Sequence, residues 1–305
     1  MICACSEAGI QKDAGFFDQY SMRFILFIFG FCLSPILWAQ GGWVKEKGEG
    51  YFQTAFNTFS SDQYYNIGGE LLETNVFSQQ SVSLYGEYGL GGRFALVANF
   101  IGYRWNGFET TETVSGMGDL YLAAQYALLK GKFPVSITVG PEIPTGQGEL
   151  FAQSKLVSFE RINLPPGDGE WNVRAFLASS HKFEKLPLYA SAHISWNFRT
   201  SYEDSELSDQ FSAGVEIGYN PFKPLWLQAK LGLQESVGKP AGAIDFVRGE
   251  GTSFASVEFL AAYTFWKSLI ALAGVRFYGD FIVDRANLYD GTNYTFGLAY
   301  KLAKR

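Results

Sequence analysis

The pair His193 and Ser195 is the part of the sequence that could most readily do covalent chemistry. Only Ile194 separates the two residues, so on a β-strand both side chains point to the same face, where an imidazole could take a proton from the serine hydroxyl. Glu216, on a later strand, could orient the imidazole. This arrangement would suit acyl transfer. Because catalysis also requires geometry that spacing cannot supply, we expect a polar pair without a catalytic role.

Metal or cofactor chemistry finds little support in the sequence. The three cysteines are Cys3, Cys5 and Cys32, and no paired-histidine motif is present. An acidic loop at Asp204–Asp209 could bind calcium weakly, but a solvated acidic loop is the simpler interpretation. Gly116-Met117-Gly118 lacks the following lysine of a phosphate-binding loop and is interpreted as a loop-to-strand junction. We therefore predict no metal, no cofactor and no catalytic residue.

The amino-terminal region has the features of a secretory signal. Residues 22–39 contain Arg23, an apolar run from Phe24 to Phe31, and the small residue Ala39 at a suitable cleavage point. Ser34-Pro35 interrupts this run before it reaches the ~20 residues of a membrane-spanning helix. We predict that residues 22–39 are a signal peptide, that residues 1–21 are a mis-annotated extension, and that residues 40–305 are the mature chain. That mature chain contains no cysteine.

The strand that carries His193 has one apolar and one polar face. Residues 188–198 read LYASAHISWNF, with apolar and hydrogen-bonding side chains in strict alternation. The same two-residue period dominates beyond residue 50, and amphipathic helical spacing is nearly absent. It predicts twelve strands, at residues 51–59, 77–89, 93–105, 117–129, 133–143, 170–182, 187–199, 209–220, 224–236, 253–265, 268–280 and 292–302.

The connections between these strands alternate in length. Five are tight turns and six are long polar loops, and most strands are close to the ~10 residues that a tilted strand needs to cross a bilayer. No amphipathic helix is available to cover the apolar faces, and sandwich strands usually run only about 5–6 residues. Lipid is the simpler cover. We therefore predict an all-β, transmembrane, antiparallel up-and-down barrel of about twelve strands, forming one domain over residues 40–305.

Composition agrees with a membrane barrel. Charged residues make up 18% of the chain, against about 25% in globular proteins, and aromatic residues make up 17%. The net charge of −6 argues against a nucleic-acid binder.

Three stretches, in this order, resemble a known family. They are SVSLYGEYGL at Ser81–Leu90, GMGDLYLAAQYALL at Gly116–Leu129, and VGPEIPTG at Val139–Gly146. Together they resemble the outer-membrane proteins named for the meta-pathway of phenol degradation. The resemblance covers residues 77–150, and beyond them only the barrel pattern matches. It implies a bacterial outer-membrane barrel that takes up small, often aromatic or hydrophobic compounds. The chain departs from the usual carboxyl-terminal aromatic residue by ending Tyr300-Lys301-Leu302-Ala303-Lys304-Arg305.

The polar faces of the strands supply the candidate lumen. The predicted register turns twelve polar residues inward: Glu87, Asp119, Gln125, Glu142, Arg174, His193, Asn197, Arg199, Glu216, Lys230, Glu258 and Arg276. Charges of both signs either line a wet conduit or pair across the lumen and close it. A barrel of about 8 strands is filled by side chains and one of about 16 leaves a wide channel, so twelve strands predict a narrow pore or a partly occluded cavity.

The longest loop, residues 144–169, is unusually apolar. Phe151, Leu156 and Phe159 lie in it, and we name them with Arg161 as a candidate constriction. The loop either folds inward in this way or forms an external cap. As a lining of the entrance it would favour hydrophobic solutes.

The prediction is thus a monomeric barrel of the bacterial outer membrane, exported by its signal peptide, that passively transports or binds a small hydrophobic or aromatic solute. Its partners would be membrane lipid, that solute and the outer-membrane assembly machinery, without nucleic acid. Two alternatives remain. One is a lipid-modifying outer-membrane enzyme that uses His193 and Ser195, and the other is a barrel whose loops bind an extracellular partner.

Overall fold

The computed structural model describes residues 41–202, 206–238 and 248–304. The predicted extension and signal peptide, and Asp204 of the acidic loop, lie outside the described residues. The strands, in chain order, are β1 (Gly50–Tyr65), β2 (Leu71–Gly91), β3 (Phe94–Phe108), β4 (Val114–Gly116), β5 (Leu120–Leu129), β6 (Val135–Ile143), β7 (Phe151–Gln153), β8 (Arg161–Asn163), β9 (Asn172–Lys182), β10 (Leu188–Arg199), β11 (Asp209–Phe222), β12 (Leu225–Val237), β13 (Phe254–Trp266), β14 (Leu269–Gly279), β15 (Leu288–Tyr289) and β16 (Thr292–Leu302).

Twelve of these strands form one closed antiparallel barrel, which confirms the predicted fold. Each long strand pairs with its sequence neighbour among the long strands, and β1 pairs with both β2 and β16. The short strand β4 pairs with β3, while β7 and β8 form a separate hairpin in the longest loop. We call the two ends of the barrel the short-turn end and the long-loop end. No helix in the described part of the chain is long and apolar enough to cross a membrane, which does not bear on crossing by strands.

Alternation along each strand separates an apolar outside from a lumen. On β1, Phe52 and Phe56 are 43% and 39% exposed, whereas Tyr51 and Ala55 are 2% and 3% exposed. The other long strands also carry large exposed apolar residues, including Leu84, Leu96, Leu122, Leu177, Ile194, Val215, Ile217, Phe259 and Phe296. Apolar surface of this extent, encircling a molecule, is typical of a lipid-facing surface.

The first hairpin is longer than the sequence pattern predicts. Strands were expected at 51–59 and 77–89, but β1 runs to Tyr65 and β2 begins at Leu71. The extra residues pair across the hairpin, with Tyr64 opposite Leu72. The sequence pattern did not predict these residues, because apolar and polar residues must alternate only where lipid covers the outer face of a strand. Beyond the lipid, both faces of a strand can be polar.

The lumen is filled on one side. Val97, Tyr121 and Ala123 form a buried cluster against which Tyr85 and Phe176 pack. These residues belong to β2, β3, β5 and β9, so aromatic and small side chains occupy that part of the interior. The open space must lie elsewhere in the lumen.

Candidate functional site

A cavity of about 430 Å³ lies against the inner faces of β9 to β14. Many polar side chains line it, among them Arg174, His193, Ser195, Asn197, Lys230 and Glu258. The cavity is also lined by the aromatic residues Trp43, Phe176, Tyr189, Trp196 and Phe254. Its volume suits one small molecule, since ligand sites for drug-sized compounds run from roughly 300 to 1,000 Å³.

Four charged residues form a ladder along the cavity wall. Glu216, Lys230, Glu258 and Arg276 are direct cross-strand neighbours on β11, β12, β13 and β14. Lys230 Nζ lies 3.5 Å from Glu216 Oε2 and 3.4 Å from Glu258 Oε1, and the Arg276 guanidinium pairs with Glu258 Oε2. The mixed charges therefore pair along the wall between neighbouring strands and not across the lumen.

A second ion pair lies on the other side of the cavity. Arg174 on β9 donates to Glu142 Oε2 on β6 at 2.6 Å, and Asn172 donates to the same oxygen at 3.1 Å. The Arg174 guanidinium also lies 5.9 Å from the Tyr121 ring centroid. Arg174 thus contacts both Glu142 and the aromatic cluster that fills one side of the lumen.

Residues 41–49 close much of the short-turn end. The Lys45 ammonium lies 2.9 Å from Glu87 Oε2 on β2, and both side chains are buried. Farther along the segment, the Gly41 carbonyl accepts from Ser136 Oγ on β6 at 2.9 Å, and the Gly42 amide donates to Ser180 Oγ on β9 at 2.8 Å. Together with the bond from Gln125 on β5 to the Gly41 carbonyl, these contacts place the segment inside the barrel, from β2 to β9. We call residues 41–49 the amino-terminal segment.

The amino-terminal segment fits tightly against the wall. A Cβ added at Gly42 would lie 2.1 Å from the Pro134 carbonyl oxygen and 2.8 Å from the Ser180 amide nitrogen. A Cβ at Gly89 on β2 would lie 1.9 Å from the Glu46 carbonyl oxygen. Real side chains do not approach so closely, so these two positions require glycine for the segment to keep this path.

A buried ionic network joins the loops at the long-loop end. Arg199, at the end of β10, donates to Glu170 Oε1 through Nε at 2.8 Å and through a terminal nitrogen at 2.5 Å. Arg248 donates to the carbonyls of Asp168 at 3.1 Å and Gly148 at 2.8 Å. Glu250 accepts from the Ser208 amide at 2.9 Å. Three connections are therefore held together by charged groups that water scarcely reaches.

Burial of the Glu170 carboxylate in this network is electrostatically unfavourable. Its side chain is buried, and Oε2 has no hydrogen-bond partner among the residues that the structure describes. Burial raises the pKa of Glu170 to about 7, although the neighbouring Arg199 opposes the shift. The network at the long-loop end therefore contains a carboxyl group that titrates near neutrality.

The family-like motifs anchor the inner part of the longest loop. Asp119, which follows Gly118, accepts from the amides of Gly146 at 2.9 Å and Asp168 at 2.6 Å. Thr145 Oγ1 donates to the Gly118 carbonyl at 2.8 Å. The Gly-x-Gly-Asp and Pro-Thr-Gly stretches are thus direct neighbours, and Gly116-Met117-Gly118 lies at a loop-to-strand junction as predicted. Burial raises the pKa of Asp119.

The predicted site residues fall into two groups. Arg174, His193, Asn197, Glu216, Lys230, Glu258 and Arg276 line the cavity. Glu87, Asp119, Gln125, Glu142 and Arg199 instead bind the amino-terminal segment, the loops or another wall residue. His193 lies over Gly214, and Glu216 accepts from the Tyr189 hydroxyl at 2.5 Å while pairing with Lys230. The His193 and Ser195 pair therefore opens onto the lumen and not onto lipid.

The proposed constriction residues lie at the exposed part of their loop. Leu156 and Phe159 are 76% and 84% exposed, and Phe151 packs against Arg161 at 5.5 Å on the β7–β8 hairpin. Two parts of the loop pack inward, Ala152 on β7 and Leu164–Glu170, and both Ala152 and Leu164 lie in a buried cluster beside Phe77.

Sequence reasoning missed the residues that close the barrel. Lys45, Trp43 and Gly42 precede the first predicted strand and were given no role. Arg248 and Glu250 lie in a loop without alternation. A Gly-Gly-Trp sequence before the first strand was the only available signal, and it is too short to be distinctive. Among the described residues, no cluster of three or more His, Cys, Asp or Glu residues could hold a metal ion.

Comparison with known proteins shows similarity at the level of fold. No protein-family model and no curated protein match the sequence. The COG4313 outer membrane channel from Pseudomonas putida F1 is similar, with a TM-score of 0.64 and 14% identity, over 87% of this chain and 99% of that one. The translocator domain of the autotransporter NalP from Neisseria meningitidis is similar with a TM-score of 0.52 and 10% identity, over 93% of this chain and 95% of that one. The NanC porin is similar with a TM-score of 0.50 and 10% identity, over 82% of this chain and 100% of that one. The chain therefore has the fold of outer-membrane barrels.

Proposed function

We propose that this protein is a monomeric bacterial outer-membrane channel that passively passes or binds a small hydrophobic or aromatic solute in its lumen. The observation that carries the proposal is a closed barrel with an apolar outer surface around a cavity of about 430 Å³. Because the wall is a closed hydrogen-bonded sheet, a solute dissolved in water can reach this cavity only through the two ends of the barrel. The motifs at residues 81–146 support kinship with the meta-pathway outer-membrane proteins.

Aromatic residues at the cavity support the solute class. Trp43 and Tyr189 lie edge to face with centroids 5.7 Å apart, and Tyr189 also contacts Trp226 at 5.4 Å. Phe176 and Phe254 line other parts of the cavity. Rings of this kind bind planar apolar groups through contact area and ring geometry, while the polar wall can bind the rest of the molecule.

Passage through the lumen depends on both closures. The wall is a continuous hydrogen-bonded sheet, whereas the amino-terminal segment and residues 164–170 lie inside it. A solute reaches the cavity when one closure moves and leaves when the other does. Conduction is then limited by these movements, so the channel would act slowly and on few solutes.

Swelling of proteoliposomes tests the channel function. Phenyl glucoside is an aromatic solute too polar to cross phospholipid readily, and the disaccharide xylobiose is a polar solute of nearly the same size. We expect phenyl glucoside to enter faster than xylobiose, both with the intact chain and with a variant lacking residues 41–47. Absence of swelling with both proteins would contradict the channel function, and equal rates for the two solutes would contradict the preference for aromatic groups.

The enzyme alternative can be tested by comparing the lipids of bacterial cells that produce the unchanged protein and a variant. Replacing both Ser191 and Ser195 by alanine removes the two hydroxyls that lie two residues from His193 on the same strand face. The channel function predicts unchanged lipid profiles in the variant.

A further inference from the structure

In the ion pairs of the cavity, the cationic side chains are more exposed to the lumen than the carboxylate side chains. The side chains of Arg276, Lys230 and Arg174 are 47%, 35% and 31% exposed. Their carboxylate partners Glu258 and Glu216 are only 14% and 15% exposed. All five residues line the cavity, so the surface that remains accessible on them faces the lumen.

The strand register explains this asymmetry. Glu258 lies between Lys230 and Arg276 on adjacent strands and is held flat against the wall by both cations. Glu216 is held on the wall by the Tyr189 hydroxyl and by Lys230. The longer lysine and arginine side chains reach past these short carboxylates, so their charged heads remain at the lumen surface.

Arg174 adds a further positive group. Its partner Glu142 is 11% exposed and does not line the cavity, whereas Arg174 does. The cavity lining therefore contains three cations and two carboxylates. The Arg174 Nε atom has no hydrogen-bond partner in the described part of the chain.

From this presentation we infer that the cavity binds a small aromatic carboxylate, with the carboxylate among Arg174, Lys230 and Arg276 and the ring against the aromatic lining. Guanidinium groups bind carboxylates through paired, charge-assisted hydrogen bonds. Phe176 and Trp43 line the same cavity and supply apolar surface for a ring. This inference deepens the proposed channel function by naming the class of solute that its cavity selects.

Binding to the detergent-solubilised full chain tests the inference without requiring passage. Calorimetric titration would compare benzoate with benzamide, which has nearly the same shape without the charge, and with the cation benzylamine. We expect benzoate to bind at least tenfold more tightly than benzylamine, with benzamide between them. Equal affinities for the three compounds, or no binding of benzoate, would overturn the inference.

Two variants that break the same ion pair make the test sharper. Arg276→Gln removes a presented cation, so benzoate affinity should fall about fivefold or more, as expected for one charge a few ångströms away in a wet site. Glu258→Gln removes the carboxylate and should raise benzoate affinity. If both variants changed the affinity in the same direction, the effect would be structural and the inference would be wrong.

Control measurements separate this inference from the channel function. Lys185→Gln changes the net charge equally on an exposed turn and should leave benzoate binding unchanged. Heat-dependent gel migration would verify that each barrel is folded. Benzoate binding without proteoliposome swelling would support the anion site and contradict the channel function. Swelling without a preference for benzoate in the binding assay would support the channel function and contradict the anion site.

Discussion

Replacing Lys45 by methionine should release the amino-terminal segment. Lys45 and Glu87 pair at 2.9 Å with side chains 6% and 2% exposed, so the variant would leave a buried carboxylate without its cation. Breaking a buried pair in this way costs about 3–5 kcal/mol. On the amino-terminal side of Lys45, the segment is held by the bonds of Gly41 with Ser136 and Gln125 and of Gly42 with Ser180, about 1 kcal/mol each, and by the half-buried Trp43, about 1–2 kcal/mol. These terms are similar in size, so the segment should spend a substantial fraction of time released.

Single-channel recording in planar bilayers measures this release. The variant should show open events that are on the order of a hundredfold more frequent than in the unchanged protein, since about 3 kcal/mol corresponds to that factor. Lys304→Met is the matched control. It breaks the Lys304–Glu46 pair at 3.2 Å on the same segment, but those side chains are 59% and 69% exposed, and such pairs contribute about 0–1 kcal/mol. If Lys45→Met conducted like the unchanged protein, the segment would not be the closure at this end.

Three further predictions address the segment, the lipid face and the loop network. Gly42→Ala places a methyl group 2.1 Å from the Pro134 carbonyl oxygen, so it should also raise the open probability in bilayer recordings. Ile217→Arg, on an exposed apolar position of β11, should destabilise the barrel by about 2–4 kcal/mol in urea titrations in vesicles, whereas Leu156→Arg on the loop should have no effect. Burial raises the pKa of Glu170 from 4.5 to about 7, so the folded network binds that proton more tightly than an opened one. Hydrogen exchange at residues 164–171 should therefore accelerate, beyond its intrinsic rate, as the pH rises from about 4.5 to 7, and Glu170→Gln should abolish this dependence.

The barrel could be predicted from sequence because lipid imposes a rule on every strand. Ile194 and Val215 must be apolar where they meet hydrocarbon, and their neighbours are free to be polar, so the two-residue period marks both the strands and their inward faces. Beyond the lipid-covered part of a strand, apolar and polar residues no longer need to alternate. The outer part of β1 and β2 therefore escaped prediction, although its backbone pairs as regularly as the rest.

The closures could not be predicted, because they depend on contacts between residues distant in sequence. Lys45 meets Glu87, and Arg199 meets Glu170, across connections whose course alternation does not describe. The pairing of Lys230 with Glu216 and Glu258 is different. It follows from register, since three inward-facing charges at the same level of adjacent strands must be neighbours, and an explicit register would have found it.

Chemical modification of a cysteine in the cavity tests the central claim most directly, which is that solute moves through this lumen. A chain beginning at Gln40 contains no cysteine, so Ser256→Cys would introduce a single thiol facing the cavity. Leu156→Cys, on the exposed loop tip, is the matched control. We predict that a charged methanethiosulfonate reagent will reduce phenyl glucoside flux through the Ser256→Cys protein and leave flux through the Leu156→Cys protein unchanged. Complete modification of the cavity thiol with undiminished flux would contradict the account.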